Sequence, residues 1–309
     1  MVTIFLKRVS ETVPDISIIV VFPSFPNFNI DRLVNSTKRI SLKYEIILVV
    51  NEIKALEKKV QESLMALFEG KSNFISLRLV LMGSSNDRSA AFGRNLGAML
   101  AESPILVFAD DDSVVLDDLA SPVKRLKNGE CYGIQPLILK LADMEIIDSA
   151  GDFTRYMGKM HAPKIRYSGD QFNKRSNDLY LEEVSSLRGA FMLVRKDAFL
   201  AVGGMDNSFI FVFEDVDLGW RMTCAGYTLL FDPEIRELHK GSRTSSETEV
   251  MTEKVFRLWL LNLYSLNLKV IRYRLWPYVF LQFQKYMLLY EFAGVKTRGV
   301  TTLKLVTNI

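Results

Sequence analysis

Short β-branched apolar runs alternate with helix-period segments over the first 130 residues, and this alternation restricts the chain to few architectures. ISIIVVF (Ile16 to Phe22), EIILVV (Glu45 to Val50), LRLVLM (Leu77 to Met82) and ILVFA (Ile105 to Ala109) read as buried strands. Between them, Ile53, Leu56, Val60, Leu64, Leu67 and Phe68 line one helix face, and Phe92, Leu96, Met99 and Leu100 line another. Strands alternating with helices predict an α/β fold, a mainly parallel sheet flanked by helices. Ligands of such sheets bind beyond the carboxyl ends of the strands. The residues that follow each strand are Pro23, Asn51, Gly83 and Asp110.

The middle of the chain is less regular. Residues 131–165 hold a strand-like CYGIQPLILK and a glycine-bearing SAGDFTRYMGKMHAP, and the polar stretch 166–182 reads as a long surface loop. SLRGAFMLVRKDAFLAVGGMD then predicts a strand, a short helix and a Gly-Gly turn. EDVDLGWRMTCAGY predicts a helix ended by Gly226, and TLLFDP a further strand. No internal repeat is present.

Composition narrows the class. Of 309 residues, 49% are hydrophobic and 24% charged, which excludes a disordered or disulfide-stapled chain. Cys131 and Cys224 make neither a metal-ligand spacing nor a disulfide framework, as in a reduced cytoplasmic protein. The amino-terminal MVTIFLKRVSETVPD is too short in apolar residues for a signal peptide, and no window is apolar enough for a spanning helix. Charge is uneven: residues 251–309 carry nine Lys/Arg against Glu253 and Glu291, a net of +7, and leave −4 on residues 1–250. That basic tail is rich in Trp, Tyr, Phe and Leu, with LWLLNLYSLNL suited to a helix lying in a membrane surface. It has no nucleic-acid-reading module, so an anionic membrane face is the expected partner. Packing on the body or a homo-oligomeric interface is the other use of such helices.

Three segments carry potential chemistry. ADDDS (Ala109 to Ser113) places three carboxylates at a strand end, where they repel unless a cation joins them. Asp110 and Asp112 of a D-x-D pair suit a hard divalent ion such as Mg2+ or Mn2+; the alternative is a helix-capping loop. An EF-hand is excluded, because Val114 and Val115 stand where ligands are needed. An aspartyl-phosphate phosphatase would use Asp110 as nucleophile and Asp112 as acid-base, but three strand–helix units precede the motif here. FEDVDLGWR (Phe213 to Arg221) puts Glu214, Asp215 and Asp217 in a helix's first turn, where acids also simply favour the dipole. Asp217 and Arg221 read as a surface i,i+4 pair. His239 is one of two histidines, alone in its segment.

Taken in order, the GRNLG helix, strand–DDD, GAFMLVRKDAFLAVGGMD, FEDVDLGWR, AGY and His239 resemble the family 2 glycosyltransferases of the GT-A fold, nearest the rhamnosyl- and galactofuranosyl-transferase-like members. The resemblance covers roughly residues 15–245. It implies a metal-dependent, inverting transfer of sugar from a nucleoside-diphosphate sugar, with residues 1–130 as the nucleotide half of a 1–250 domain and 131–250 as the acceptor half. It implies that Asp110, Asp112 and His239 hold Mn2+ or Mg2+ and that Asp111 touches the ribose. Asp215, with Glu214 as the second choice, becomes the general base. Pro23, Asn51, Glu52, Arg94 and Asn95 fall beside the nucleotide, and Gly189, Ala190 and Gly204 on the acceptor side. LVVNEIK departs from the family, with Asn51 where an Asp meets the base, which leaves uridine, thymidine and guanosine donors open. A lipid-linked or polysaccharide acceptor and a peripheral place at the inner face of the plasma membrane complete the expectation. The phosphatase using Asp110 and Asp112 and a non-catalytic sugar-nucleotide binder are the alternatives.

Overall fold

The computed structural model describes residues 2–22, 30–50, 68, 71–82, 89–151, 153–156, 163–166, 181–209, 212–240 and 262. Pro23, Asn51, Glu52, nearly all of the helix expected at 53–68, most of the 166–182 loop and the basic tail apart from Asn262 lie outside them.

Four parallel strands form the centre of the sheet: β2 (Ile16–Phe22), β3 (Tyr44–Val50), β4 (Phe74–Met82) and β5 (Ile105–Asp110). All four coincide with the apolar runs. Every residue of β3 and β4 is buried. Alternate side chains feed opposite faces: Ile18, Val20, Ile46 and Leu48 enter one core, and Ile19, Ile47, Val49 and Phe108 the other. Glu45 is the second residue of β3, inside this apolar run. Its charge is tolerated because Arg78 pairs with it and Ser17 Oγ donates to it at 2.6 Å.

In spatial order the strands are β1 (Val2–Arg8), β4, β3, β2, β5, β12 (Phe191–Arg195), β7 (Gly133–Lys140), β13 (Leu229–His239) and β11 (Glu182–Glu183). Successive crossovers thus run outward in one direction from β2 to β4 and in the other to β5. The crevice where direction reverses lies beyond the carboxyl ends of β2 and β5, where Val21 is in register with Asp110. β1 (Val2–Arg8), for which no strand was expected, is an antiparallel edge on β4. Helix α1 (Ile30–Thr37) joins β2 to β3, and α2 (Ala90–Leu100), capped by Ser89, joins β4 to β5.

The face of α2 differs from the periodic reading. Met99 is 70% exposed, and Ala91, Gly93, Arg94, Gly97 and Ala98 are the buried residues. A Cβ on Gly97 would lie 2.5 Å from Ile19 Cγ2, and one on Gly93 2.6 Å from Val21 Cγ1. The helix therefore rests directly on β2 through its small residues. The large ones, Phe92, Leu96 and Leu100, are only partly buried at its margin. This close seating brings Arg94 to the site.

The second half extends the same sheet. After β6 (Ser113–Val115) and α3 (Ala120–Lys127) come β7 (Gly133–Lys140), β8 (Asp143–Ser149), the separate hairpin β9 (Phe153–Tyr156) and β10 (Pro163–Arg166), then β11 (Glu182–Glu183) and β12 (Phe191–Arg195). Ser113 lies in a strand and α3 begins at Ala120, so the acidic run caps no helix. α4 (Lys196–Ala201) and α5 (Glu214–Cys224) precede β13 (Leu229–His239). The strand expected at TLLFDP does not end at Pro233. It continues past an irregularity between Asp232 and Arg236, opposite Pro136 of β7, whose ring nitrogen has no proton to donate. Beyond it, β13 carries His239 into register with Ser113 and Lys140.

Candidate functional site

The site gathers where the carboxyl end of β5, the end of β13 and the start of α5 meet. Asp110 ends β5, its N–H donating to Ala190 O at 2.8 Å, and the chain turns at Asp111 and Asp112 into β6. His239 Nε2 then faces Asp112 Oδ1 at 3.3 Å and Asp110 Oδ2 at 3.9 Å. Ligand atoms of Asp110, Asp112 and His239 all lie within 4.8 Å of one another. The other ring nitrogen, Nδ1, is 3.0 Å from Asp148 Oδ2 on β8.

This donor set fits a divalent cation. His239 Nε2 is buried without a well-formed hydrogen bond. Two carboxylates and an imidazole suit Mn2+, and the oxygens Mg2+. Without metal, burial works against the imidazolium, but Asp112 and Asp148 outweigh it and hold His239 up at about 11. The same imidazolium draws Asp112 below the usual carboxylate range in spite of burial. A cation replacing that proton would leave Asp148 to fix the ring through Nδ1–H. Nothing in the sequence pointed to Asp148, which reaches His239 only through the β7–β8 pairing.

A second cluster holds the acid pair of α5. The Arg94 guanidinium is buried and donates to Asp110 Oδ1 at 2.7 Å, to Glu214 Oε1 at 2.9 Å and to Gly189 O at 3.1 Å. Arg94, expected beside the nucleotide, thus spends its hydrogen bonds on tying the D-x-D strand to the acid pair. Glu214 is buried. Desolvation and neighbouring Asp215 push its carboxyl above the usual range, against the pull of Arg94. Asp215 is half-buried; Oδ2 accepts from the Gly189 N–H and Oδ1 from the Val216 N–H, both at 2.8 Å. Of the two acids, Asp215 has the greater access to an incoming hydroxyl. Asp217 is not a surface residue: it is 2% exposed, and Arg221 Nε donates to it at 2.8 Å.

Asn95, also expected beside the nucleotide, is occupied by the Gly-Gly turn. Its Nδ2 donates to Met205 O at 2.7 Å and its Oδ1 accepts from Met205 N at 2.8 Å. A Cβ at Gly204, where φ is +69°, would lie 2.6 Å from Asn95 Oδ1. Gly189 and Ala190 line the floor between the clusters. Ala190 O accepts from Asp110 N and, at 3.0 Å, from Ser113 Oγ. Asp111 is half-buried at the turn. Two consecutive non-glycine residues with positive φ, Val212 at 55° and Phe213 at 72°, lead into Glu214.

This mixed sheet, with its acidic strand end, terminal histidine and acid-led helix, is an α/β fold of the GT-A type. The model of the glycosyltransferase-like family 2 matches residues 31–271, and the chain belongs to that family. Family membership removes the phosphatase reading. An N-acetylglucosaminyl-diphospho-decaprenol L-rhamnosyltransferase of Mycobacterium tuberculosis is 43% identical over 62 residues, which spans 20% of this chain and 20% of that protein. Among solved structures, the mannosyltransferase PcManGT of Pyrobaculum calidifontis, in complex with GDP-Man and Mn2+, has a TM-score of 0.54 at 14% identity, covering 85% of this chain and 65% of that one. GalNAc-T7 with UDP, GalNAc and Mn2+ gives 0.53 at 18%, covering 81% and 48%. TarS 1-349 of S. aureus with UDP-GlcNAc gives 0.52 at 12%, covering 91% and 74%. Among the described residues no helix is long and apolar enough to cross a membrane.

Proposed function

We propose that the chain transfers a sugar, with inversion, from a nucleoside-diphosphate sugar to a hydroxyl of a lipid-linked or polysaccharide acceptor. The observation that carries this reading is the buried guanidinium of Arg94, which holds the D-x-D strand and the acid pair in one frame. Asp110, Asp112 and His239 would hold Mn2+ or Mg2+, which supplies Lewis-acid charge for the leaving diphosphate. Asp215 accepts the acceptor's proton as that oxygen attacks the anomeric carbon and the bond to the diphosphate breaks. Its two backbone N–H contacts aim the carboxylate, while Glu214 stays shielded beneath it. Asn51 and Glu52 beside the base, Pro23 and Asp111 beside the nucleoside, and Gly189, Ala190 and Gly204 on the acceptor side remain part of this proposal. A diphospho-decaprenol in the name of one relative supports a lipid-linked acceptor. A basic, aromatic tail supports a peripheral place on an anionic inner membrane face.

The test is melting of the full chain with UDP-, GDP- and dTDP-sugars, with and without Mn2+. A nucleotide at a hundred times its dissociation constant stabilises by about 2.7 kcal/mol. Asp215→Asn is expected to keep that metal-dependent shift and lose transfer by at least about a hundredfold. No shift with any nucleotide sinks the donor half of the reading, and retained transfer in the variant removes Asp215 as base.

A further inference from the structure

The turn that delivers the acid pair is built from residues that do not favour it. Val212 and Phe213 take φ of 55° and 72° in succession, immediately before Glu214. A positive φ is uncommon outside glycine, and for a β-branched residue such as valine it is a genuine outlier. Such strain persists only where surrounding contacts over-determine it. Part of the restraint is local: Phe213 packs with Phe209, Val216 and Trp220, with Val212 against them. Phe213 O also accepts from Asp217 N at 2.9 Å, closing the first turn of α5.

A further restraint comes from far along the chain. Asn262, only 7% exposed, donates from Nδ2 to the carbonyl of Val212 at 3.2 Å. That carbonyl belongs to the peptide linking the two left-handed residues, so a donor fixed there opposes rotation of the peptide toward ordinary backbone. Rotation would swing Phe213 and shift the start of α5. Asp215 would then leave the Gly189 N–H that aims it.

We infer that Asn262 is a positioning residue, whose side chain holds the Val212–Phe213 turn and thereby sets Asp215 for proton transfer. The consequence for catalysis rests on the reading of Asp215 as base; the restraint on the turn does not.

Asn262→Asp keeps the shape of the side chain and removes its N–H donor. In the full-length variant, hydrogen exchange by mass spectrometry is expected to quicken by about two- to tenfold in peptides covering 212–218, the range one net hydrogen bond gives. The global melting temperature and exchange in β3 should stay as in wild type. Release of nucleoside diphosphate from whichever of the UDP-, GDP- or dTDP-sugars stabilises the wild type with Mn2+ is expected to fall in kcat by a similar factor. KM for that donor and the Mn2+ affinity should stay within twofold. Adding Val212→Gly, which removes the cost of positive φ, is expected to recover most of the lost kcat.

Unchanged exchange at 212–218 overturns the inference whatever turnover does. Exchange that rises equally throughout the molecule, with a lowered melting temperature, overturns it too, because Asn262 would then be a general packing residue. Quickened local exchange with undiminished kcat overturns the positioning role. Absence of turnover from the wild type with every donor counts against the proposed function alone, and local exchange still decides whether Asn262 holds the turn.

Discussion

Individual residues at the site do work that their spacing does not announce. Arg94 lies 120 positions from Glu214, yet its guanidinium joins Glu214 of the acid pair to Asp110 of the D-x-D turn. Asp148 is 91 positions from His239, and its carboxylate sets which ring nitrogen is free for a cation. Losing an orienting partner of this kind costs metal sites about 10- to 100-fold in affinity. Asp148→Ala should weaken Mn2+ binding by that factor, read from the free-ion signal in electron paramagnetic resonance titrations. Asp148→Asn should lose less, since its carbonyl still accepts from Nδ1–H. Equal affinity in wild type and Asp148→Ala would make Asp148 a bystander.

Among the elements, α2 is the one whose packing departs furthest from its sequence pattern. Large residues at helical spacing marked Met99 as core, whereas the helix touches β2 through Gly93 and Gly97. An alanine at 97 gains about 1 kcal/mol of helix propensity. Overpacking against Ile19 costs about 1–3 kcal/mol, and Ile19 is wholly buried in the sheet with little room to yield. Gly97→Ala is therefore expected to lower the urea midpoint, by up to about 2 kcal/mol of stability. Met99→Ala at the exposed neighbouring position should stay within about 0.5 kcal/mol. The reverse order would restore the simple periodic reading. β13 differs for a related reason: proline ended the expected strand, but the irregularity opposite Pro136 lets pairing resume and bring His239 home.

The whole molecule stores opposing charge costs at this end of the sheet. Burial pushes Glu237 of β13 up to about 8, with His239 and Ser113 opposing it and Asp110 and Asp112 adding to it. Its folded value exceeds the ordinary 4.5, so the folded state holds a proton that the unfolded chain releases as pH rises between these values. Stability falls across that window. His239 acts in the same direction: its stabilisation is complete below its ordinary 6.5 and is lost as pH rises through about 11. The metal-free protein should accordingly melt at lower temperature at pH 8 than at pH 5. Glu237→Gln should flatten the decline, with its largest gain at pH 8. A wild-type melting temperature that is level or rising over this interval would contradict the assignment.

Periodicity by itself determined the four central strands, the existence of α2 and α5, and the order of the acidic segments, because buried strands and amphipathic helices write their environment into local spacing. Family resemblance added the gathering of Asp110, Asp112 and His239, which the sheet then brought within reach of one another. Tertiary structure alone decided which face of α2 is buried, that β1 forms an edge, and that Arg94, Asp148 and Asn262 support the site. Each of these depends on which distant strands become neighbours. A hydrogen bond across a hundred residues leaves no repeat in the sequence around either partner, so only the folded sheet could reveal it.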